Sequence, residues 1–316
     1  SEMNMPAVAL TDNANMMGAF RFVSETQRYN RSIDENQLGE GEIKQKIKPI
    51  VGCVFYVCED HLNKNYRDNG YHVVFLAKNK NGYNNLAKLS SIAYTKGFYY
   101  VPRIDKTLIE KYKDDIIVLT GNLMGEVSNK ILNIGQKNAE EALLWWKEIF
   151  KDDLYIEIMR HNQEDEDLVN KILIDFSRKH DIKIVATNNN YYKEKSEANA
   201  HDILLCIKEG EKLSTPIGKG RGFRYGLPNQ EYYYKSSDEM KELFYDLPEA
   251  INNVFEVVNK IEEYTLSNQV LLPKFDIPPD FIDNKDDKDD GKRGENNYLR
   301  HLTYIGAKKR YGKISP

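Results

Sequence analysis

Short, almost unbroken apolar runs alternate with stretches of helical period along the first two thirds of the chain. The runs fall at residues 6–10, 47–57, 73–77, 116–120, 154–159 and 182–187, and their length suits strands. Between them, residues 15–29, 84–96, 123–132, 139–150, 164–180 and 194–207 carry helical patterning. In the fourth of these, Ala139, Leu143, Trp146 and Phe150 recur on one face. Strands without polar alternation are buried on both sides, which is the mark of a parallel sheet covered by helices. The expectation is an α/β chain whose parallel sheet is either open and doubly wound or closed into a barrel. No G-x-G-x-x-G follows the first run, so a dinucleotide fold gains no support.

With 316 residues, the chain has room for two domains or one large barrel with an appendage. The formal charge of −4 argues against a self-sufficient clamp on a nucleic-acid backbone. Cys53, Cys58 and Cys206 are too few and too scattered for a disulfide framework or a four-thiolate zinc site, and Cys53 and Cys58, inside an apolar run, read as buried, reduced thiols of a cytosolic protein. No apolar stretch is long enough to span a membrane, and the first residues lack the basic start of a signal peptide.

After Ile207 the pattern changes. Residues 210–225 are rich in glycine, lysine and arginine and read as an exposed loop. Ser236 with Glu239 marks a helix N-terminus, continued by Met240, Leu243, Phe244 and Leu247. A second helix follows Pro248, with Ile251, Val254, Val258 and Ile261 inward. Residues 273–297 hold Pro278-Pro279 and a mixed acidic run at 286–290, the composition of a linker or mobile insertion. Helical pattern returns at 298–311.

In parallel α/β folds the functional groups gather where the strands end. Those ends read Thr11-Asp12-Asn13, Gly121-Asn122, Arg160-His161-Asn162 and Thr187-Asn188-Asn189-Asn190-Tyr191. They are polar but dominated by asparagine. A hydrolytic metal cluster needs carboxylates, imidazoles or thiolates. The residues alone therefore read as a polar barrel mouth without a catalytic metal.

The same segments carry a resemblance. Met5-Pro6-Ala7-Val8-Ala9-Leu10-Thr11-Asp12, Lys48-Pro49-Ile50-Val51-Gly52-Cys53, Val185-Ala186-Thr187-Asn188 and Ala200-His201-Asp202-Ile203-Leu204 lead a series of matches spread over nearly the whole chain. In that order they resemble the PHP (polymerase and histidinol phosphatase) region at the N-terminus of bacterial DNA polymerase III alpha subunits. The resemblance implies a distorted (β/α)7 barrel over residues 1–265. Residues 266–316 would then be a linker, a charged insertion and the helical beginning of the polymerase core.

Family members with an intact site hold metal ions at the barrel mouth and hydrolyse phosphoesters. The resemblance places their opening H-x-H motif before Ser1. In the next motif Asp12 remains, but Asn13 stands for a histidine. Val54 stands where the family has Glu, Asn122 ends the S-G-C motif, and Asn189 and Tyr191 replace the Asp and His of N-D-x-H. The resemblance thus implies a degenerate, metal-free PHP domain with a structural and docking role in DNA replication. The fragment would bind no cofactor, while Mg ions would serve the polymerase site elsewhere in the parent chain. The implied partners are DNA through that parent, the proofreading exonuclease subunit and other replisome subunits, in the cytoplasm and without a membrane. The alternative is an active metal-dependent phosphoesterase or 3'-5' exonuclease.

The remaining candidates each carry two readings. His72 begins its apolar run, which places it away from the mouth as a structural histidine. Arg103 would touch a phosphate in an intact site or serve as an ion-pair partner. Glu157 and His161 would do acid/base work or bond across the mouth. His201 beside Asp202 reads as helix capping or packing. The cluster Lys219 to Arg224 would touch nucleic acid or remain a solvated loop.

Overall fold

Seven strands form one mixed sheet in the computed structural model, which describes residues 3, 5–35, 45–218, 220–266, 275–282 and 294–313. They are β1 (Ala7–Asn13), β2 (Lys48–Cys58), β3 (Tyr71–Ala77), β4 (Arg103–Asp105), β5 (Ile116–Leu119), β6 (Leu154–Ile158) and β7 (Ile184–Ala186). The helices are α1 (Ala19–Asp34), α2 (Lys80–Thr95), α3 (Lys106–Tyr112), α4 (Glu126–Asn133) and α5 (Gln136–Phe150). They continue with α6 (Glu164–His180), α7 (Ala198–Glu209), α8 (Ser237–Leu243), α9 (Pro248–Lys260) and α10 (Glu295–Tyr311). Two compact units result, Ser1–Leu266 and Ser267–Pro316.

In the first unit the strand order is β1-β2-β3-β5-β6-β7. β2 is long enough to serve two neighbours on one edge: its first residues pair with β1 and Tyr56–Cys58 with β4, both parallel. The expectation of an all-parallel sheet fails at β3, which runs antiparallel to both β2 and β5. No helix joins β2 to β3; residues 59–70 form a loop, and a connection without a crossover returns the chain antiparallel. β4 and α3 lack a signal of their own in the pattern, because each spans two turns or less.

The unbroken apolar runs have a clear cause. Successive side chains point to opposite faces of the sheet, and both faces are covered. Outward, Phe55, Phe75, Val118, Ile156 and Ile158 pack with Leu89, Trp146 and Phe176 of the helices. Inward, Ile50, Leu76, Ile117, Leu119, Tyr155 and Val185 meet Val257 and Ile261 at the end of α9. The sheet curls around this inner cluster into a half-barrel. Position 52 requires glycine, because a side chain there would strike the Phe75 carbonyl at 2.6 Å and the side chain of Leu76 at 2.7 Å.

Helix α9 closes the floor, where the parallel strands begin. Lys48 donates to the carbonyls of Val258 and Ile261, at 3.1 and 2.8 Å. These are the last carbonyls of α9, which lack partners within the helix and favour a cation. Asn253 donates to Ile184 O, and the Tyr155 hydroxyl to Glu256 at 2.7 Å. The mouth therefore lies at the opposite end, ringed by Asp12, Asn122 and residues 187–191.

The second unit holds a short 3-10 turn at Pro279–Phe281 and α10. Phe275, Phe281 and His301 pack their rings around Tyr298. The acidic run at 286–290 lies outside the described residues.

Candidate functional site at the barrel mouth

The curled sheet and α9 enclose a cavity of about 620 Å³. Its floor is apolar, made by Ile50, Val74, Leu76, Leu119, Val254 and Val258. Its rim is amide-rich, made by Asn13, Asn122, Asn188, Asn189 and Asn190. Asp12, Val54, His72, Glu157 and Tyr191 also line it. The chain thus gathers at one mouth most of the positions singled out in the sequence, from segments far apart along it.

His72 corrects an expectation. At the start of its run it was placed away from the mouth, but β3 is antiparallel, so its beginning lies level with the ends of its neighbours. Its ring meets that of Tyr56 edge to face at 4.8 Å. Burial lowers its pKa, so the imidazole is neutral at neutral pH. Beneath it, Gly121 turns the chain with φ of +86°, and a side chain there would strike the His72 carbonyl at 2.2 Å.

Glu157 is the buried acid of the cavity, at 5% exposure. One oxygen accepts from the Thr187 hydroxyl at 2.6 Å, and the other has no hydrogen-bond partner. Burial pushes its pKa up to about 7 against the opposing hydrogen bonds from the Thr187 side chain and the Gly121 backbone.

His161 lies behind the mouth rather than in it. Its Nδ1 meets Glu166 at 2.8 Å and its ring stacks on Tyr232 at 4.4 Å. Nε2 accepts from the backbone N–H of Asn189 at 3.3 Å. With Glu166 accepting on one side and an N–H donating on the other, the proton sits on Nδ1. His161 thereby holds the loop after β7. The Asn189 amide in turn donates to the Tyr191 hydroxyl at 3.3 Å.

Arg103 is absent from the cavity. Its side chain is fully buried and donates to the carbonyls of Gly97, Asp68, His61 and Asn63. It is therefore neither a phosphate ligand here nor an ion-pair partner; it gathers the β2–β3 loop. Arg224 of the basic loop pairs with both oxygens of Asp202, at 2.6 and 2.7 Å, and is buried. It is thus closed to nucleic acid, and Lys219 lies outside the described residues. His201 packs beside the rings of Tyr191 and Tyr192.

Only one group of three potential metal ligands converges among the described residues: Asp60, His61 and Asp105. It stands apart from the cavity. His61 Nδ1 meets Asp105 at 2.5 Å, and the other Asp105 oxygen caps α3 through Leu108 N–H. The donors are already engaged in tying the β2–β3 loop to β4. No signal in the sequence announced this cluster, since Asp105 is remote from Asp60 and His61 along the chain. Asp12, His72 and Glu157 form no such convergent group in the cavity.

A half-barrel with a polar mouth at its strand ends defines a class that the comparisons then identify. Residues 1–161 match the PHP domain family, and the chain belongs to it. The chain is 35% identical to DNA polymerase III subunit alpha of Borreliella burgdorferi, over 99% of this chain and 25% of that protein. It is 36% identical to that of Campylobacter jejuni over 89% of this chain, and 32% identical to that of Thermus aquaticus over 97%. The chain spans about a quarter of the length of these relatives, and corresponds to their N-terminal PHP region.

Proposed function

We propose that this chain is the PHP portion of a replicative DNA polymerase, in which the barrel mouth has lost its metal cluster and the domain serves as a scaffold. The observation that carries this reading is the donor set. Asn13, Asn122 and Asn189 offer uncharged amides where ions require charged oxygens, imidazoles or thiolates, and Val54 offers no donor at all. Asp12 and His72 remain, but two isolated donors and the distinct Glu157 do not neutralise a multi-metal centre. The residues present do not fit the ions that the family's hydrolytic members carry.

Nucleotide transfer and its Mg ions would then belong to parts of the parent polypeptide outside these residues. DNA, other replisome subunits and a proofreading exonuclease are its proposed partners, and the cytoplasm its proposed location. DNA follows from the relatives' name as DNA polymerases; the other subunits, the exonuclease and the cytoplasm rest on the family resemblance. No helix among the described residues is long and apolar enough to cross a membrane.

The direct test is hydrolysis of bis(p-nitrophenyl) phosphate by the full-length polypeptide with added Mn2+ or Zn2+. The expected rate equals that of the metal alone. A rate that disappears in Asp12→Asn or His72→Ala would restore the phosphoesterase reading.

A further inference from the structure

The loss of a metal cluster leaves a cavity, and the chain has not filled it. Its volume of about 620 Å³ lies within the roughly 300–1,000 Å³ of small-molecule sites. Its lining has three features that together select a ligand. The floor is built from valine, leucine and isoleucine, which favour an apolar body. The rim carries asparagine amides; Asn188 is engaged by Asn190, Tyr233 and Lys235, Asn122 Oδ1 by Met124 N–H and Asn189 Nδ2 by the Tyr191 hydroxyl, which leaves Asn122 Nδ2, Asn189 Oδ1 and Asn190 Nδ2 to meet a ligand. The wall holds Glu157, whose second oxygen is buried without a hydrogen-bond partner and which also borders a much smaller pocket behind the sheet with Glu166 and Asn170.

A buried polar atom without a partner is costly, and native structures rarely keep one that has nothing to bind. Asp12 and Glu157 line the cavity, yet no lysine or arginine does among the described residues. A phosphate or carboxylate therefore meets no counter-charge there. Tyr191, half exposed at the rim, presents a ring beside those of Tyr232 and His201. An aromatic rim favours a flat ligand.

We propose that the cavity binds an uncharged, flat nitrogen heterocycle of the nucleobase class, with Glu157 as its buried anchor and the asparagine rim reading its edge. The base enters with its plane against the rim tyrosine and its ring over the valine floor, and any phosphate it carries stays outside. Burial holds the Glu157 carboxyl near neutrality in pKa, at about 7, so it can donate or accept along a heterocycle edge. The proposal rests on the metal-free reading of this cavity and adds a ligand to it.

The test is calorimetric titration of the full-length, purified polypeptide with adenosine, guanosine, cytidine and thymidine, with their 5'-monophosphates, and with ribose. Two variants report the site: Glu157→Leu removes the anchor from β6, and Val74→Phe fills the cavity from β3. Circular dichroism melting checks that each folds, and either alone suffices if the other does not. At least one nucleoside should bind, its monophosphate at least tenfold more weakly, and ribose not detectably. Each variant should weaken nucleoside binding at least tenfold. The proposal is overturned if no nucleoside binds, if binding survives both substitutions, or if the monophosphate or ribose binds as tightly. Metal content measured on the same sample separates the two ideas. A metal-free protein that binds no nucleoside defeats the ligand alone, whereas a metal-loaded cavity defeats both.

Discussion

Glu157 is the residue whose environment has the plainest energetic consequence. Its carboxyl is raised from 4.5 to about 7 by burial, so between those values the folded chain holds a proton that the unfolded chain releases. Stability from this group is full below about 4.5 and falls as pH rises through 7. Glu157→Gln cannot ionise, so its melting temperature should gain on the native chain as pH goes from 4 to 8, by up to about 3 kcal/mol in stability. A gap that stays flat across that range would contradict the buried-acid account. Arg103 makes a second residue-scale case. Arg103→Met would leave two buried and two partly buried carbonyls without their donor, and denaturant titration should show a loss of about 3 kcal/mol. Neither role was legible in the sequence. An arginine after Pro102 looks the same whether it meets a phosphate or a cage of carbonyls. The environment of His72 was misread because its strand direction was unknown.

At the scale of elements, one side chain ties several together. Glu126 opens α4 and is nearly fully buried. It accepts from Lys130 of the same helix, from Lys106 at the start of α3, and from Trp146 Nε1 of α5 at 2.8 Å. Burial alone would raise its pKa, but the two ammonium groups beside it win and hold it below the ordinary value. Its contribution is therefore present above the unfolded pKa and is lost as pH falls through the depressed folded one. Glu126→Leu strands two partly buried lysines and an indole N–H, and should cost about 2–4 kcal/mol by equilibrium unfolding at pH 7. The cap of α8 is smaller. Ser236 accepts from Glu239 N–H while Glu239 accepts from Ser236 N–H, and Ser236→Ala should cost about 1 kcal/mol. That box was legible in Ser236-Ser237-Asp238-Glu239, as were the long helices, since caps and periodicity are local. The seven-residue α3 and three-residue β4 were not, because α3 is too short to show a period and β4 exists only through its pairing with β2. The antiparallel course of β3 was hidden for a related reason: a strand buried on both faces has the same composition in either direction.

At the scale of the whole molecule, order along the chain becomes a ring in space. β1, β5, β6 and β7 deliver their ends, β2 its middle at Val54, and β3 its beginning, to one mouth. The α/β class and most of the mouth were legible because strand ends carry their polar residues in sequence, whereas the choice of a barrel over an open sheet came with the family resemblance. The group around Asp105 and the shielding of His161 by Tyr232 were not, because each depends on loops that meet only after folding. On the proposed metal-free reading, Asn13, Val54, Asn122, Asn189 and Tyr191 all stand where the family resemblance implies ligands, so restoring one should restore nothing. Asn189→Asp alone is expected to give no metal-dependent nuclease activity on single-stranded DNA, and such activity in that variant would mean that the remaining donors suffice.

The most direct test of a metal-free scaffold is elemental analysis of the full-length polypeptide by plasma mass spectrometry after exposure to zinc, manganese and iron and exhaustive dialysis. The account predicts well under one tightly bound ion per chain. Two or more ions per chain, lost on Asp12→Asn or His72→Ala, would contradict it.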